Sequence, residues 1–297
     1  RQMCIRDSSS DETAQLLSDF KARHANLKSS NLDTFDRPIA GKKYPLTLGI
    51  KAAKNETLLL TDADCKPTSD KWLAEMTATY REKTEIVLGY GGYEKRKGLL
   101  SKIVRFETFL TALQYLSYSL NGLTYMGVGR NLSYKKPLFF SKKGFFSHQH
   151  IASGDDDLFI NEAATSRNTR ICVSPESFTR SAPPETWGAW LQQKKRHLTT
   201  GRYYKFKFKW LLGLFTLSHI AFYTILTLLL VLSPIWYFAL AIYGLRLVLQ
   251  GFIFRKIMVK LAEQDLWILT PIFDLLFTFY YLIIPTLSWL TKPAKWH

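Results

Sequence analysis

An α/β domain with a mainly parallel sheet, followed by C-terminal transmembrane helices, is the fold class that three observations predict. Short apolar runs alternate with helical patterns between residues 14 and 90, an order that implies βα units. One of those runs, Leu58-Leu59-Leu60, ends in Thr61-Asp62-Ala63-Asp64-Cys65, with two carboxylates one residue apart. Beyond residue 210, the stretches 211–232, 234–254 and 266–290 each approach or exceed the roughly 20 apolar residues that a bilayer core requires.

Composition narrows the function classes. The chain has 297 residues, enough for one soluble domain and a membrane portion. Its formal net charge of +16 suits nucleic acid, an anionic membrane surface or a phosphorylated substrate. Position decides among these, because Thr186 to Ala262 contains no Asp or Glu and holds the longest apolar runs. The basic excess is therefore juxtamembrane, and with no zinc-finger, homeodomain or RNA-recognition signature, nucleic acid is not an expected partner. Cys4, Cys65 and Cys172 have neither metal-ligand spacing nor a disulfide framework, which fits thiols in a reducing compartment.

The opening residues 1–6 have no periodicity and join abruptly to the polar run after them. They read as a cloning or sequence-assembly scar in place of a lost N-terminus and are set outside the expected fold. Asp7-Ser8-Ser9-Ser10-Asp11-Glu12-Thr13 supplies turn and capping residues, and Ala14 to His24 carries Leu16, Leu17 and Phe20 on one helical face. Gly41-Lys42-Lys43 precedes Leu46, Leu48 and Ile50, with Pro45 suited to a first helical turn and Lys42 able to approach a phosphate.

The run at Leu58 is bounded by polar residues, as a buried strand would be, and in open α/β sheets ligands gather at the carboxyl ends of strands. Alternation there sends Asp62 and Asp64 the same way, so the pair can hold one hard divalent cation that bridges to substrate phosphates. Asp-x-Asp also occurs in ordinary turns and caps; the rest of the chain has to support the metal reading. Ser69 can cap a helix from Lys71 to Lys83, and Glu85 to Tyr90 then gives the next strand. From Leu99 to Leu120, apolar residues recur near helical spacing with Lys102 and Arg105 interspersed, a pattern that suits a core helix somewhat better than one in a bilayer interface.

Gly127-Val128-Gly129-Arg130-Asn131 permits close backbone approach to a ligand or a tight turn. Asp155-Asp156-Asp157 is a second acidic centre. Helix capping accounts for one or two of these carboxylates, and one left in a cleft is suited to take a proton from an attacking hydroxyl. Residues 194–210, with Lys205, Lys207 and Lys209 alternating with Phe206 and Phe208, form a basic and aromatic belt of the kind found at membrane surfaces. Ser233-Pro234 leaves almost no loop between the first two spans, which makes them a hairpin. Arg255, Lys256 and Lys260, with the basic residues before Trp210, put both flanks in the cytoplasm by the positive-inside rule, although Lys292 and Lys295 beyond the third span weigh against its exit. Arg246 and Asp274 lie within spans, where ionisable groups face protein, water or a partner.

Four motifs in order, Asp7-Ser-Ser-Ser-Asp11, Asp62-Ala-Asp64, Gly154-Asp155-Asp156 and Gln193-Lys-Lys-Arg196, together resemble the family 2 glycosyltransferases, membrane-anchored bacterial enzymes of the GT-A fold. The resemblance spans roughly Asp7 to Lys209, with a catalytic domain over 7–193 whose first strand is missing. It implies that Asp7 contacts the nucleotide base, that Asp64 binds Mg²⁺ or Mn²⁺ with Asp62 beside the ribose or the metal, and that Gln193 and Arg196 steady the donor diphosphate. Gly41-Lys42 matches a weaker family position beside the nucleotide, and Gly129-Arg130-Asn131 one beside the acceptor, where His197 is also expected. Asp156 is the implied general base, with Asp155 the alternative because the acidic run aligns in two ways.

The implied activity is inverting transfer of a sugar from a UDP- or GDP-sugar to a lipid-linked or cell-surface glycan, at the cytoplasmic face of the inner membrane. Members that extend a polymer carry Trp after the Arg, and here the position is His197. A processive polysaccharide synthase is therefore an alternative rather than the leading expectation, as is a non-catalytic membrane subunit of a glycan assembly complex.

Overall fold

The computed structural model describes residues 2–6, 12–31 and 41–290. Its elements in order are β1 (Gln2–Arg6), α1 (Thr13–Arg23), β2 (Leu27–Asn31), α2 (Lys43–Ala52), β3 (Thr57–Leu60), β4 (Cys65–Pro67), α3 (Trp72–Ala78), β5 (Ile86–Leu88), β6 (Gly91–Tyr93) and α4 (Leu99–Leu120). After α4 come β7 (Leu132–Lys135), α5 (Lys136–Ser141), α6 (Asp157–Ala163), β8 (Thr169–Ile171), β9 (Thr179–Ser181), α7 (Trp187–Gly201), α8 (Phe206–Leu232), α9 (Trp236–Lys260) and α10 (Thr270–Leu290). The α/β class and the three long apolar C-terminal helices are as the sequence predicts.

The N-terminal segment and the sheets differ from expectation. The segment set outside the fold is β1, which pairs in parallel with β2 from Gln2 opposite Leu27 to Arg6 opposite Asn31. Five residues are too few to show a period. The sheets are also mixed rather than mainly parallel. The four-stranded sheet has the order β3-β7-β5-β8, with β7 antiparallel to both β3 and β5 and only β5 and β8 parallel. A three-stranded sheet, β4-β9-β6, pairs β9 antiparallel to β4 and parallel to β6. Strand and helix alternation counts elements in order but cannot register that β7 inserts between two earlier strands.

The core is built on β5, whose Ile86, Val87 and Leu88 are all buried. A strand covered on both faces has this continuous apolar pattern. Tyr134, Phe139, Phe145 and Phe159 pack beneath the sheet. Helix α3 is shorter than the expected 71–83 because the Thr84 hydroxyl accepts the Arg81 N–H at 3.1 Å, a local bond that competes with helix continuation.

Helix α4 has the predicted bounds and is a core helix. Phe106 meets Phe273 and Phe277 of α10 at ring separations of 5.0 and 5.4 Å, and Phe109 meets Phe254 of α9 at 5.2 Å. One long helix thus lies between the sheets and the apolar helices. Among the described residues, three helices are long and apolar enough to cross a membrane: Phe206–Leu232, Trp236–Lys260 and Gln264–Ile284. Among them Arg246 Nη1 donates to Asp274 Oδ2 at 2.7 Å, and the same carboxyl accepts from Tyr223 at 2.6 Å and from Gln250 at 2.7 Å.

The turn between α9 and α10 joins these helices to the rest of the protein. Glu263 is completely buried. Its carboxylate accepts from Arg105 Nε of α4 at 2.8 Å, from the Tyr90 hydroxyl at 3.1 Å and from Arg180 Nη1 of β9. Removing one partner of a buried, hydrogen-bonded ion cluster costs about 3–5 kcal/mol, whereas a pair open to solvent contributes about 1 kcal/mol or less. Glu263→Gln is therefore expected to lower the melting temperature in detergent far more than Asp265→Asn, whose carboxylate also pairs with Arg105 but is 44% exposed. Equal losses in the two variants would show that the buried carboxylate is not what fixes the helices to the domain.

Candidate active site

The first acidic centre forms where β3 stops at Leu60. The chain turns, with the Cys65 N–H donating to the Asp62 carbonyl at 3.0 Å, and re-enters a sheet as β4. This turn, rather than strand alternation, gathers a carboxylate oxygen of Asp62, one of Asp64 and the Cys65 sulfur within 4.8 Å of one another. Two carboxylates suit a hard divalent cation that keeps positions for phosphate oxygens, so the donor set fits Mg²⁺ or Mn²⁺. The Cys65 thiol is pushed up to about 11, by burial and then by the charges of Asp64 and Asp62, and so remains protonated near neutrality. Lys42 Nζ donates to Asp62 Oδ1 at 2.8 Å and lies within electrostatic range of Asp155 and Asp156. It therefore stands between two acidic centres more than 90 residues apart in sequence.

The loop that delivers the second centre is held by a residue that sequence patterns do not single out. Lys43 is fully buried, and its Nζ donates to the carbonyls of His148, Ile151 and Ser153, each at 2.7 Å. Burial pulls its ammonium down to about 8. In sequence Lys42-Lys43 is an ordinary surface pair, and nothing local marks the second lysine as the centre of a carbonyl cage. Gly41 makes the approach possible: its φ is +73°, and a Cβ there would lie 2.0 Å from the Ala152 carbonyl oxygen.

The three adjacent aspartates separate by role. Asp157 turns away from the cleft and accepts from the hydroxyls of Thr200 and Tyr204, the latter at 2.8 Å. Asp156 caps α6, accepting the Asp157 N–H at 2.7 Å through Oδ1 and the Gly129 N–H at 2.7 Å through Oδ2. Gly129 thus sits beside the candidate base, and a Cβ on it would come within 3.3 Å of that Oδ2. Burial raises the Asp156 carboxyl, and its two backbone donors oppose the rise. Asp155 is pushed up to about 7, by burial and then by the charge of Asp156.

Helix α7 forms the opposite wall. Thr186 caps it by accepting the Ala189 N–H at 3.1 Å. Gln193, Arg196, His197 and Thr200 share one helical face, being separated by three or four residues. Gln193 Nε2 donates to the Tyr93 hydroxyl at 2.9 Å at one end, and Thr200 reaches Asp157 at the other. Arg196 and His197 therefore overlook the space between Tyr93 and the acidic run. His197 is exposed there and lies within electrostatic range of Lys194, Arg130, Arg196 and Lys42. Lys194, expected in a basic surface belt, is instead buried and paired with Glu107 of α4.

One expected site residue is not in the cleft. Asn131 is fully buried, its Nδ2 donating to the carbonyls of Tyr90 and Ser177 at 3.0 and 2.7 Å and its Oδ1 accepting from Trp72 Nε1 at 3.1 Å. With its amide engaged on both sides it braces the sheets rather than meeting an acceptor. Asp7, the expected contact to the nucleotide base, lies outside the described residues.

A family model for glycosyl transferase family group 2 matches residues 60–255, a span that includes both acidic centres and α7. The chain belongs to this family. As a solved structure similar to this glycosyltransferase, the mannosyltransferase PcManGT from Pyrobaculum calidifontis, in complex with GDP-Man and Mn²⁺, is 17% identical and has a TM-score of 0.52, the match covering 92% of this chain and 77% of that one. TarS 1-349 of S. aureus, in complex with UDP-GlcNAc, is 18% identical over 62% of this chain and 50% of that one, with a TM-score of 0.44. No curated protein matches the chain.

The acidic run gives this glycosyltransferase a distinctive pH dependence. The carboxyl of Asp155 binds its proton more tightly in the fold, at about 7, than in an unfolded chain, at about 3.9. The stabilisation from that proton is complete below about pH 4 and is lost as pH rises through about 7. The melting temperature of metal-free protein should fall across that window, and Asp155→Asn should flatten the fall. An unchanged slope in the variant would rule out Asp155 as its source.

Proposed function

We propose that this glycosyltransferase moves a sugar from a UDP- or GDP-sugar to a lipid-linked or cell-surface glycan acceptor, with inversion and with a divalent metal, at the cytoplasmic face of the inner membrane. The observation that carries this reading is the convergence on Lys42 of the Asp62–Asp64 and Asp155–Asp156 centres. One pair suits a metal and a diphosphate, and the other suits a proton. The basic residues Lys205, Lys207 and Lys209 at the start of α8, with Arg255, Lys256 and Lys260 at the end of α9, support a cytoplasmic catalytic domain.

In the proposed reaction Asp62 and Asp64 hold Mg²⁺ or Mn²⁺, which when bound offsets negative charge growing on the leaving diphosphate. Arg196 and Gln193, from α7, steady that diphosphate on the other side by hydrogen bonding and charge. Asp156 takes the proton of the acceptor hydroxyl as its oxygen forms the bond to the anomeric carbon and the diphosphate departs from the opposite face. A single displacement of this kind inverts the anomeric centre. Two backbone N–H groups hold Asp156 in orientation, and an ionised carboxylate keeps further lone pairs to accept that proton. Asp155 is the second candidate for the base, favoured by a proton affinity near neutrality, where a general base works best.

Nucleoside diphosphate release by membranes containing the protein, offered a panel of sugar nucleotides with Mn²⁺ or with chelator, tests the reading. Release should be donor-selective, abolished by chelator and lost in Asp64→Asn. Removal of the base should cost roughly 10²–10⁴-fold, and comparison of Asp156→Asn with Asp155→Asn identifies which carboxylate serves. Full activity in Asp64→Asn and in both of the other variants would refute the mechanism.

A further inference from the structure

The Gly129-Arg130-Asn131 segment contains a cation that the proposed reaction does not use. Arg130 is half-buried, at the edge of β7. Its carbonyl accepts from the Thr61 hydroxyl at 3.0 Å and from the Thr179 hydroxyl at 2.8 Å. Thr61 immediately precedes Asp62, so the first of these bonds ties Arg130 to the loop that carries the metal pair. Its guanidinium carbon lies 4.4 Å from the centroid of the Tyr93 ring. That ring is fixed in turn: Gln193 donates to its hydroxyl at 2.9 Å, and the Tyr93 carbonyl accepts from Arg180 Nη1 at 2.8 Å.

Five other buried or part-buried cations have partners that match their charge or fill their donors. Arg105 and Arg180 have Glu263, Arg246 has Asp274, Lys194 has Glu107, and Lys43 has three carbonyls. Arg130 pairs with no carboxylate among the described residues. Its side chain makes one long hydrogen bond, from Nη1 to the Gly92 carbonyl at 3.4 Å. The groups that act on it electrostatically are Tyr93, Cys65, Tyr90 and Tyr115. An arginine stays charged under all ordinary conditions and presents five N–H donors in a planar fork. Holding such a group in a cleft without an anion is unfavourable, and a phosphate that enters the cleft removes that penalty with bidentate geometry.

We propose that Arg130 is a phosphate-binding residue of this cleft, held on the face of Tyr93 so that its fork meets a phosphoryl oxygen of the ligand beside the Asp62–Asp64 pair. The proposal rests on the sugar-nucleotide reading. Two sources carry the same chemistry, the diphosphate of the donor and the phosphate of a lipid-linked acceptor.

The test uses the full chain in detergent micelles with Mn²⁺ and measures binding of UDP, GDP, uridine, guanosine and inorganic pyrophosphate to the wild type, Arg130→Gln and Arg130→Lys. The loss of charged hydrogen bonds should weaken nucleoside diphosphate and pyrophosphate binding roughly 10–100-fold in Arg130→Gln, leave nucleoside binding unchanged, and be partly restored in Arg130→Lys. A purely structural role would instead weaken nucleoside and diphosphate binding alike. If diphosphate binding is intact but the KM for a phosphate-bearing lipid acceptor rises by a similar factor, the phosphate is the acceptor's and the assignment holds for that source. Diphosphate affinity and acceptor KM both unchanged in Arg130→Gln, while Asp64→Asn weakens binding, would overturn it. A wild type that binds neither nucleoside diphosphate overturns the donor reading itself, and that result is visible before any variant is compared.

Discussion

A single buried carboxylate, that of Glu263, sets the relation between the apolar helices and the catalytic half of the molecule. Placing a charge in a fully buried position is costly unless its lone pairs are filled. Two arginines and a tyrosine, drawn from α4, β9 and the segment before β6, fill them. The effect extends further than the contact. Arg180, held by Glu263, donates to the carbonyl of Tyr93, whose hydroxyl meets Gln193 of α7 and whose ring carries Arg130. The cleft wall is thus continuous, through side chains and backbone, with a turn between two helices that can cross a membrane.

Helix α7 is held in a similar way at its middle and at its C-terminal end. Lys194 pairs with Glu107 of α4 in a buried site, and Thr200 with Tyr204 holds Asp157 at the start of α6. Arg196 and His197 lie between these fixings, on the same helix. The same logic explains why three aspartates in a row are tolerated. One is consumed by the α7 junction and one by a helix cap, and burying so much like charge together raises the proton affinity of all three, so that they need not all be ionised at once.

Much of this was legible in the sequence where the signal is local or periodic. The bounds of α4 follow from apolar spacing over 22 residues, and the three long apolar helices follow from length and composition. Asp62 and Asp64 stood out only in company, since Asp-x-Asp is common in turns and caps and it is the ordered set of four motifs that draws attention to the pair. Distant contacts were not legible. Lys43 looks like any surface lysine until three carbonyls from a loop more than 100 residues away close around it. Asn131 looks like part of a ligand loop until Trp72, Tyr90 and Ser177 take up its amide. Glu263 sits in a short polar break between apolar segments and gives no hint that it is buried. The insertion of β7 between β3 and β5 was equally hidden, since strand order along the chain does not encode strand order in a sheet.

The Arg246–Asp274 pair has a consequence for how the apolar helices sit in lipid. If α8, α9 and α10 cross the membrane, as their length and composition allow, Arg246 of α9 enters a bilayer with its counter-ion, Asp274, on the next helix. An arginine at the centre of an inserting helix costs about 2.5–3.5 kcal/mol, and Tyr223 of α8 offers it only a hydroxyl at 3.1 Å. Stable integration of the hairpin therefore depends on the third helix, and a chain that ends after α9 leaves an unneutralised arginine in the bilayer. The pair thus makes the three helices one unit in lipid, because the charge on the second is neutralised only beside the third.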